Sequence, residues 1–386
     1  MATLLEYVAW RGDLPFSVVP FNEVDALILC QISYLAFDGI VSDSFKSQCT
    51  LSEAAERFFA AEDFSRRSDI GAMINKLTLQ LLHDAGTSVR FGHIAMCAYR
   101  TQLDYQKEEQ FCAVTFLLDK KHALVAFRGT DDTIVGWKED FNMGVLETVP
   151  AQKDALIYLT DAMASLHKKF RIGGHSKGGN LAIYAAANVA QKYKRRIMAI
   201  YNNDGPGFRE EVLTLPEFKS IENRIHSFYP QFSVVGMVFS HAGIRTIVES
   251  EQSGIMQHDP FSWHLAPKGF VTVPDFDVTS ERLHVIFNTW FKQLPDNERS
   301  KFIETLFKLL QATDARTNSD IEKNWLRSST KIISALAKLD SESRDNMIKT
   351  LQLLFKTAQM NMSFTDLFPV EKKKQQKPKR EKQPLR

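Results

Sequence analysis

The sequence predicts an α/β fold in which a mostly parallel sheet is flanked by helices and followed by an all-helical C-terminal region. Three observations predict it. Between residues 91 and 248, strand-like runs pass into a regular alternation of helix-period and strand-like segments. The run Ala123-Leu124-Val125-Ala126-Phe127 is apolar throughout, as a strand covered on both faces should be. From Thr279 onward only helix-period segments recur, with polar breaks at Pro295-Asp296, Thr313-Asp314 and Asp340-Ser341.

In chain order, Asn22-Glu23 opens a helix reaching about Phe37, with Val24, Leu27, Ile28, Ile32 and Leu35 on one side. Amphipathic helices follow at 51–60 and 68–84, the second opened by Ser68-Asp69. Strands are expected at 91–99, 111–118 and 122–127. Then come a helix at 151–168, a strand at 170–174, a helix at 178–192 and a strand at 196–201. Shorter strands at 224–228 and 245–248 complete the sheet, and helices at 280–294, 298–312, 320–339 and 343–358 form the C-terminal bundle. The expected division is a sheet-bearing domain over 1–278, its first 88 residues helical, then a helical region over 279–360. A disordered basic tail over 361–386 follows, since residues 371–386 offer almost nothing apolar to bury.

The chain has 386 residues, 44% of them hydrophobic and 24% charged, which suits a globular core of ordinary size. A net charge of +2 gives no overall field for nucleic acid, so no nucleic-acid partner is expected. The tail alone is strongly basic; a solvated terminus is its simpler reading, and weak peripheral contact with a membrane the other. Cys30, Cys49, Cys97 and Cys112 lack metal-site spacing and sit among apolar neighbours, as reduced core thiols of a cytoplasmic protein would. No run is long enough to span a membrane, and with no basic n-region at the N-terminus no export is expected.

The chemistry concentrates in Gly174-His175-Ser176-Lys177-Gly178, a G-x-S-x-G between a short strand and a small-residue helix. A serine on such a turn presents its hydroxyl to solvent, and the flanking glycines are needed where neighbouring backbone crowds the turn. The helix N-terminus supplies N–H groups where an oxyanion would form, the N–H of Lys177 first among them. A second donor is sought at Arg128-Gly129-Thr130-Asp131, where a backbone N–H and the Thr130 hydroxyl could face the nucleophile; the alternative is a plain strand-ending turn capped by Thr130.

Of ten histidines, His258 is the best candidate base, lying in a polar loop after the last strand; a surface-loop histidine is the alternative. His175 adjoins the serine and is expected to pack or line the pocket, and His241 and His264 are weaker candidates. Asp204, in Asn203-Asp204-Gly205 at the end of the strand beside the nucleophile, is the candidate acid, with a simple Asp-Gly turn weighed equally. Asp259 is too close in sequence to His258 to orient its ring.

Together these residues resemble the class 3 lipase branch of the α/β-hydrolases and, more narrowly, the bacterial Mbeg-like proteins. The resemblance rests on Trp10-Arg11-Gly12-Asp13-Leu14, Phe21-Asn22-Glu23-Val24-Asp25 and Phe127-Arg128-Gly129-Thr130. It extends through residues 173–180, Asn203-Asp204-Gly205-Pro206-Gly207-Phe208 and Gln257-His258-Asp259-Pro260-Phe261. It implies an α/β-hydrolase-type sheet, Ser176 as nucleophile, His258 as base and Thr130 with Lys177 as oxyanion hole. It further implies an Arg128–Asp140 pair and a lid over 131–144 carrying Ile134, Val135, Trp137 and Phe141. The lipases place their acid after the strand that here reads 224–228, where this chain has no carboxylate. Either Asp204 takes that role, the site works as a dyad, or catalysis is impaired.

The expected activity is a serine hydrolase cleaving a carboxylic ester, an acyl lipid among the candidates, through an acyl-enzyme and without metal or organic cofactor. The rival expectation is a catalytically impaired hydrolase-fold binding or scaffold protein.

Overall fold

A computed structural model describes residues 2–71, 73–131, 133–313, 317 and 325–361. Apart from Asn361, which ends the last helix, the expected basic tail over 361–386 lies outside the described residues. Eight strands form one sheet in the order β1 to β8: β1 (Cys49–Thr50), β2 (Ala95–Asp104), β3 (Glu109–Leu117), β4 (His122–Phe127), β5 (Lys169–His175), β6 (Ile197–Asn203), β7 (Ile225–Pro230) and β8 (Ile244–Val248). β1 to β4 pair antiparallel, and β4 to β8 pair parallel. The hairpin turns at β2–β3 and β3–β4 are short, whereas parallel neighbours need a return crossing, which helices supply from β4 to β7 and a loop with one 3-10 turn supplies between β7 and β8.

Before the sheet and around β1 run α1 (Leu4–Arg11), α2 (Glu23–Ile32), α3 (Leu51–Phe59), α4 (Phe64–Arg67) and α5 (Leu77–Thr87). Between strands lie α6 (Ile134–Asn142), α7 (Pro150–Ser165), α8 (Lys177–Asn188) and the short α9 (Gln191–Lys194), α10 (Glu210–Leu213) and α11 (Pro216–Lys219). The β4 run shows why its sequence is apolar throughout. Leu124 and Ala126 enter a core with α1, α2, α3 and α5, while Ala123, Val125 and Phe127 enter another with α7 and α8. Alternate residues thus fill opposite faces, and none is left for solvent.

The expected helix over 68–84 does not form as such. Gly71 takes φ +77, a left-handed conformation that no helix contains, so α4 and α5 are separate and α5 starts at Leu77. Asn75, just before it, donates its amide to Asp259 Oδ2 at 2.6 Å.

The N-terminal motifs close a buried knot. Asn22 caps α2, accepting from the N–H groups of Val24 (2.9 Å) and Asp25 (3.0 Å), while Asp25 Oδ2 accepts from the Asn22 N–H at 2.9 Å. The same Asp25 carboxylate receives both ends of the Arg90 guanidinium, at 2.7 and 2.5 Å, and both side chains are fully buried. Arg90 also donates to the carbonyls of Leu14 (2.8 Å) and Val19 (3.1 Å), so no proton-rich group is left dry and unpaired there.

After the sheet come the strand pair β9 (Leu265–Ala266) and β10 (Gly269–Phe270), then α12 (Val278–Gln293), α13 (Asp296–Gln311), α14 (Trp325–Ala337) and α15 (Ser341–Asn361). Trp290, Phe302, Ile303 and Phe307 build a separate apolar cluster there, which also takes Ile134 of α6. The indole N–H of Trp290 donates to the Thr350 carbonyl at 3.0 Å, tying α12 to α15. Among the described residues all four cysteines are free and buried, and burial pushes the Cys97 thiol up to about 12. No helix of the described residues is long and apolar enough to cross a membrane, and none of them form a metal-binding group.

Candidate active site

β5 runs into Ser176, which takes φ 56 and ψ −133, and α8 begins at the next residue. A non-glycine residue in that region is strained by roughly 1–3 kcal/mol, so its surroundings must hold it. They do: the Ser176 N–H donates to Asn203 O at 2.9 Å, and its carbonyl accepts from the Gly179 N–H at 2.9 Å. A side chain at Gly174 would collide with the backbone of Gly178, and one at Gly178 with the Phe127 carbonyl, which explains both glycines of the pentapeptide. Ser176 itself is half-buried.

Two residues far apart in sequence meet beside this turn. Asp204, at the end of β6, is fully buried, with Oδ2 2.6 Å from Nδ1 of His258 in the turn 254–258. Its other oxygen accepts a 2.5 Å hydrogen bond from Ser233 Oγ. Ser233 stands in the loop after β7, where the lipase pattern would put the acid. Its N–H donates to Ser280 Oγ at 3.0 Å, and Ser280 Oγ donates to its carbonyl at 2.7 Å, so α12 anchors that loop. A carboxylate at Nδ1 fixes the tautomer with the proton on that nitrogen and leaves Nε2 as the proton acceptor.

His175 holds the His258 turn in place. Its Nε2 lies 2.9 Å from the His258 carbonyl, its Nδ1 lies 3.1 Å from the Tyr34 hydroxyl, and the two imidazoles stack 4.6 Å apart. Burial, then the neighbouring His258, lowers the His175 pKa well below the ordinary range, so the ring is neutral. A neutral ring donating from Nε2 and accepting at Nδ1 satisfies both contacts. His175 therefore packs under the site.

His241 is half-buried, its Nδ1 2.7 Å from the Tyr229 hydroxyl, and desolvation pushes its pKa down to about 3. His264 lies 3.4 Å from a Glu249 carboxylate oxygen. Asp259 caps its own short turn through the Phe261 N–H at 3.1 Å.

The turn after β4 approaches the serine closely: a Cβ on Gly129 would come within 3.1 Å of that of Ser176. The Thr130 hydroxyl, however, spends its single proton on Asp140 Oδ2 at 2.5 Å. That corrects the expectation of the hydroxyl facing the nucleophile and leaves the backbone N–H as what Thr130 can offer. Arg128 likewise pairs with Asp131, at 3.3 Å, and not with Asp140.

Lys177 opens α8, where first-turn N–H groups have no acceptor within the helix. Its side chain is fully buried, with Nζ donating to Glu139 Oε2 (2.9 Å), Gln110 O (2.7 Å) and Gln110 Oε1 (2.7 Å). The segment resembling a lid is α6, held down by these contacts: Ile134 and Val135 are buried, and Phe141 meets Phe307 edge-on at 5.7 Å.

Sequence reasoning missed Ser233, Gln110, Glu139 and Tyr34 as partners of the site. The signal for Glu139 was present, since a lysine starting an otherwise small and apolar helix requires a buried counter-charge. A cavity of about 750 Å³ bordered by Tyr99, Arg100 and Tyr158 lies elsewhere and includes none of the residues above.

A family model described as Mbeg1-like matches residues 85–308. Among solved structures, the crystal structure of M37 lipase is similar at 13% identity, over 56% of this chain and 70% of that one, with a TM-score of 0.34. No curated protein matches. The α/β-hydrolase type is evident in the molecule itself, from the mostly parallel sheet flanked by helices and the strained serine between β5 and α8.

Proposed function

The chain belongs to the Mbeg1-like family, and we propose that it is a serine hydrolase cleaving a carboxylic ester, acyl lipids included, through an acyl-enzyme. The observation that carries this reading is the buried Asp204 carboxylate paired with the part-exposed His258 beside a strained, half-buried Ser176. In the first half-reaction Ser176 Oγ attacks the ester carbonyl carbon while its proton passes to His258 Nε2. The backbone N–H groups of Lys177 and Thr130 stabilise the tetrahedral oxyanion. Collapse breaks the bond to the alcohol, which leaves with the proton from His258. Water then adds to the acyl-enzyme by the reverse route, releasing the carboxylic acid and restoring the serine. These steps call on side chains, backbone N–H groups and water alone.

A second reading, a hydrolase-fold scaffold with an impaired site, drew its support from the missing carboxylate after β7. The Asp204–His258 contact weighs against it, since it offers the candidate base a carboxylate from the end of β6. Fluorophosphonate labelling tests the choice: the hydrolase reading expects wild-type chain to be labelled and Ser176→Ala to stay blank. An unlabelled wild type would favour the scaffold.

The four buried free thiols suit a reducing compartment, and we place the protein in the cytoplasm. The proposed membrane contact, weak and peripheral, would be made by the basic residues of 371–386.

A further inference from the structure

We propose that Glu139 is a positioning residue for the oxyanion hole, acting through Lys177, and that α6 is a fixed brace which does not swing open. The inference rests on the hydrolase reading above and deepens it. All three protons of the Lys177 ammonium are taken, two by Gln110 and one by Glu139. Both Glu139 oxygens are taken too: Oε2 by Lys177 and the Gln110 N–H (3.1 Å), Oε1 by the Ala151 N–H (2.8 Å). Lys177 and Glu139 side chains are fully buried, so neither charge has water to fall back on.

The neighbouring residue completes the geometry. Asp140 receives the Thr130 hydroxyl. Consecutive carboxylates on one helix therefore hold the two residues whose backbone N–H groups would face the oxyanion, one on the β4 turn and one on the elbow. Any outward swing of α6 separates a dry ion pair and releases Thr130 in the same motion. It also pulls Ile134 and Trp137 from the cluster built by Trp290, Phe302 and Phe307. The hole is complete only with α6 down. An enzyme built this way needs no lipid surface to assemble its site, and the substrate class it fits is an ester presented as single dissolved molecules.

Two measurements test this. The first follows wild-type rate against tributyrin concentration through the solubility limit; a smooth saturating curve is expected, and an abrupt rise at the limit overturns the fixed brace. The second compares Glu139→Gln with the charge-free pair Glu139→Leu/Lys177→Met on p-nitrophenyl butyrate. Both are expected to lose about 10- to 100-fold in kcat with KM within about twofold, as misplaced oxyanion donors would. The pair variant buries no unpaired charge, so it carries the test where Glu139→Gln fails to fold. Wild-type kcat in a folded pair variant overturns the positioning role alone. A wild-type chain that neither turns over esters nor takes up fluorophosphonate overturns the hydrolase reading as well.

Discussion

His258 Nδ1 and Asp204 Oδ2 lie 2.6 Å apart although 54 residues separate them in the chain. The contact is possible because β6 ends directly beside the serine strand, with Asn203 paired to His175. Asp204 follows at φ 51, a left-handed turn that presents its carboxylate to the His258 loop.

Asp204→Asn is expected to lower kcat by about 10⁴-fold, because an amide can present a donor to Nδ1 and favour the wrong tautomer. Ester hydrolysis at saturating substrate checks it. Activity near wild type would remove Asp204 from the mechanism.

Ser233→Ala should cost less, roughly three- to tenfold in kcat, since it removes one hydrogen bond to a carboxylate that keeps its imidazole partner. Steady-state kinetics with Asp204→Asn as the reference variant would rank the two. Equal losses would mean that the carboxylate cannot be held by His258 alone.

Ser176→Gly is expected to abolish turnover and yet raise stability by about 1 kcal/mol. Glycine adopts the backbone conformation of residue 176 without strain, and that relief exceeds its own entropic cost. Thermal unfolding beside Ser176→Ala reads the difference directly. A lower midpoint for the glycine variant would contradict the strain.

Asp140 gives a pH dependence of stability. Burial pushes its carboxyl up to about 6, with the Lys177 charge and the Thr130 hydroxyl opposing the shift. A carboxyl raised in the folded state binds its proton more tightly folded than unfolded. Its contribution is therefore fully present below the unfolded value near 4 and is lost as pH rises through about 6. Asp140→Asn should flatten that decline, by about 2 kcal/mol between pH 4 and pH 7. Denaturant titrations of both proteins at the two pH values decide it.

How far the sequence reveals this molecule depends on whether a residue's role is local. β4 was readable residue by residue because its whole run is apolar and both faces are covered. The split between α4 and α5 was not, since Gly71 inside a helix-period run gives no sign of its positive φ. At the site, Ser176 announces itself through glycines that neighbouring backbone demands. Asp204 could be ranked only as one of two readings, because an Asp-Gly turn and a carboxylate facing a histidine look alike in one dimension. Ser233 was invisible: its importance consists of one contact across 29 residues, and serine is common in loops. The 131–144 segment resembles a lid by its apolar residues, but what those residues cover belongs to α12 and α13, more than 130 residues further on.

The Arg90 knot ties the segment recognised by the family model to chain that lies before it. The segment recognised by the family model starts only five residues ahead of Arg90, whereas Asp25 and the Leu14 and Val19 carbonyls that receive the guanidinium lie far upstream. A fragment trimmed to the recognised segment would lose these acceptors together with α1 and α2, which share the sheet's core. The family match thus starts inside a packed core that residues before 85 help to build.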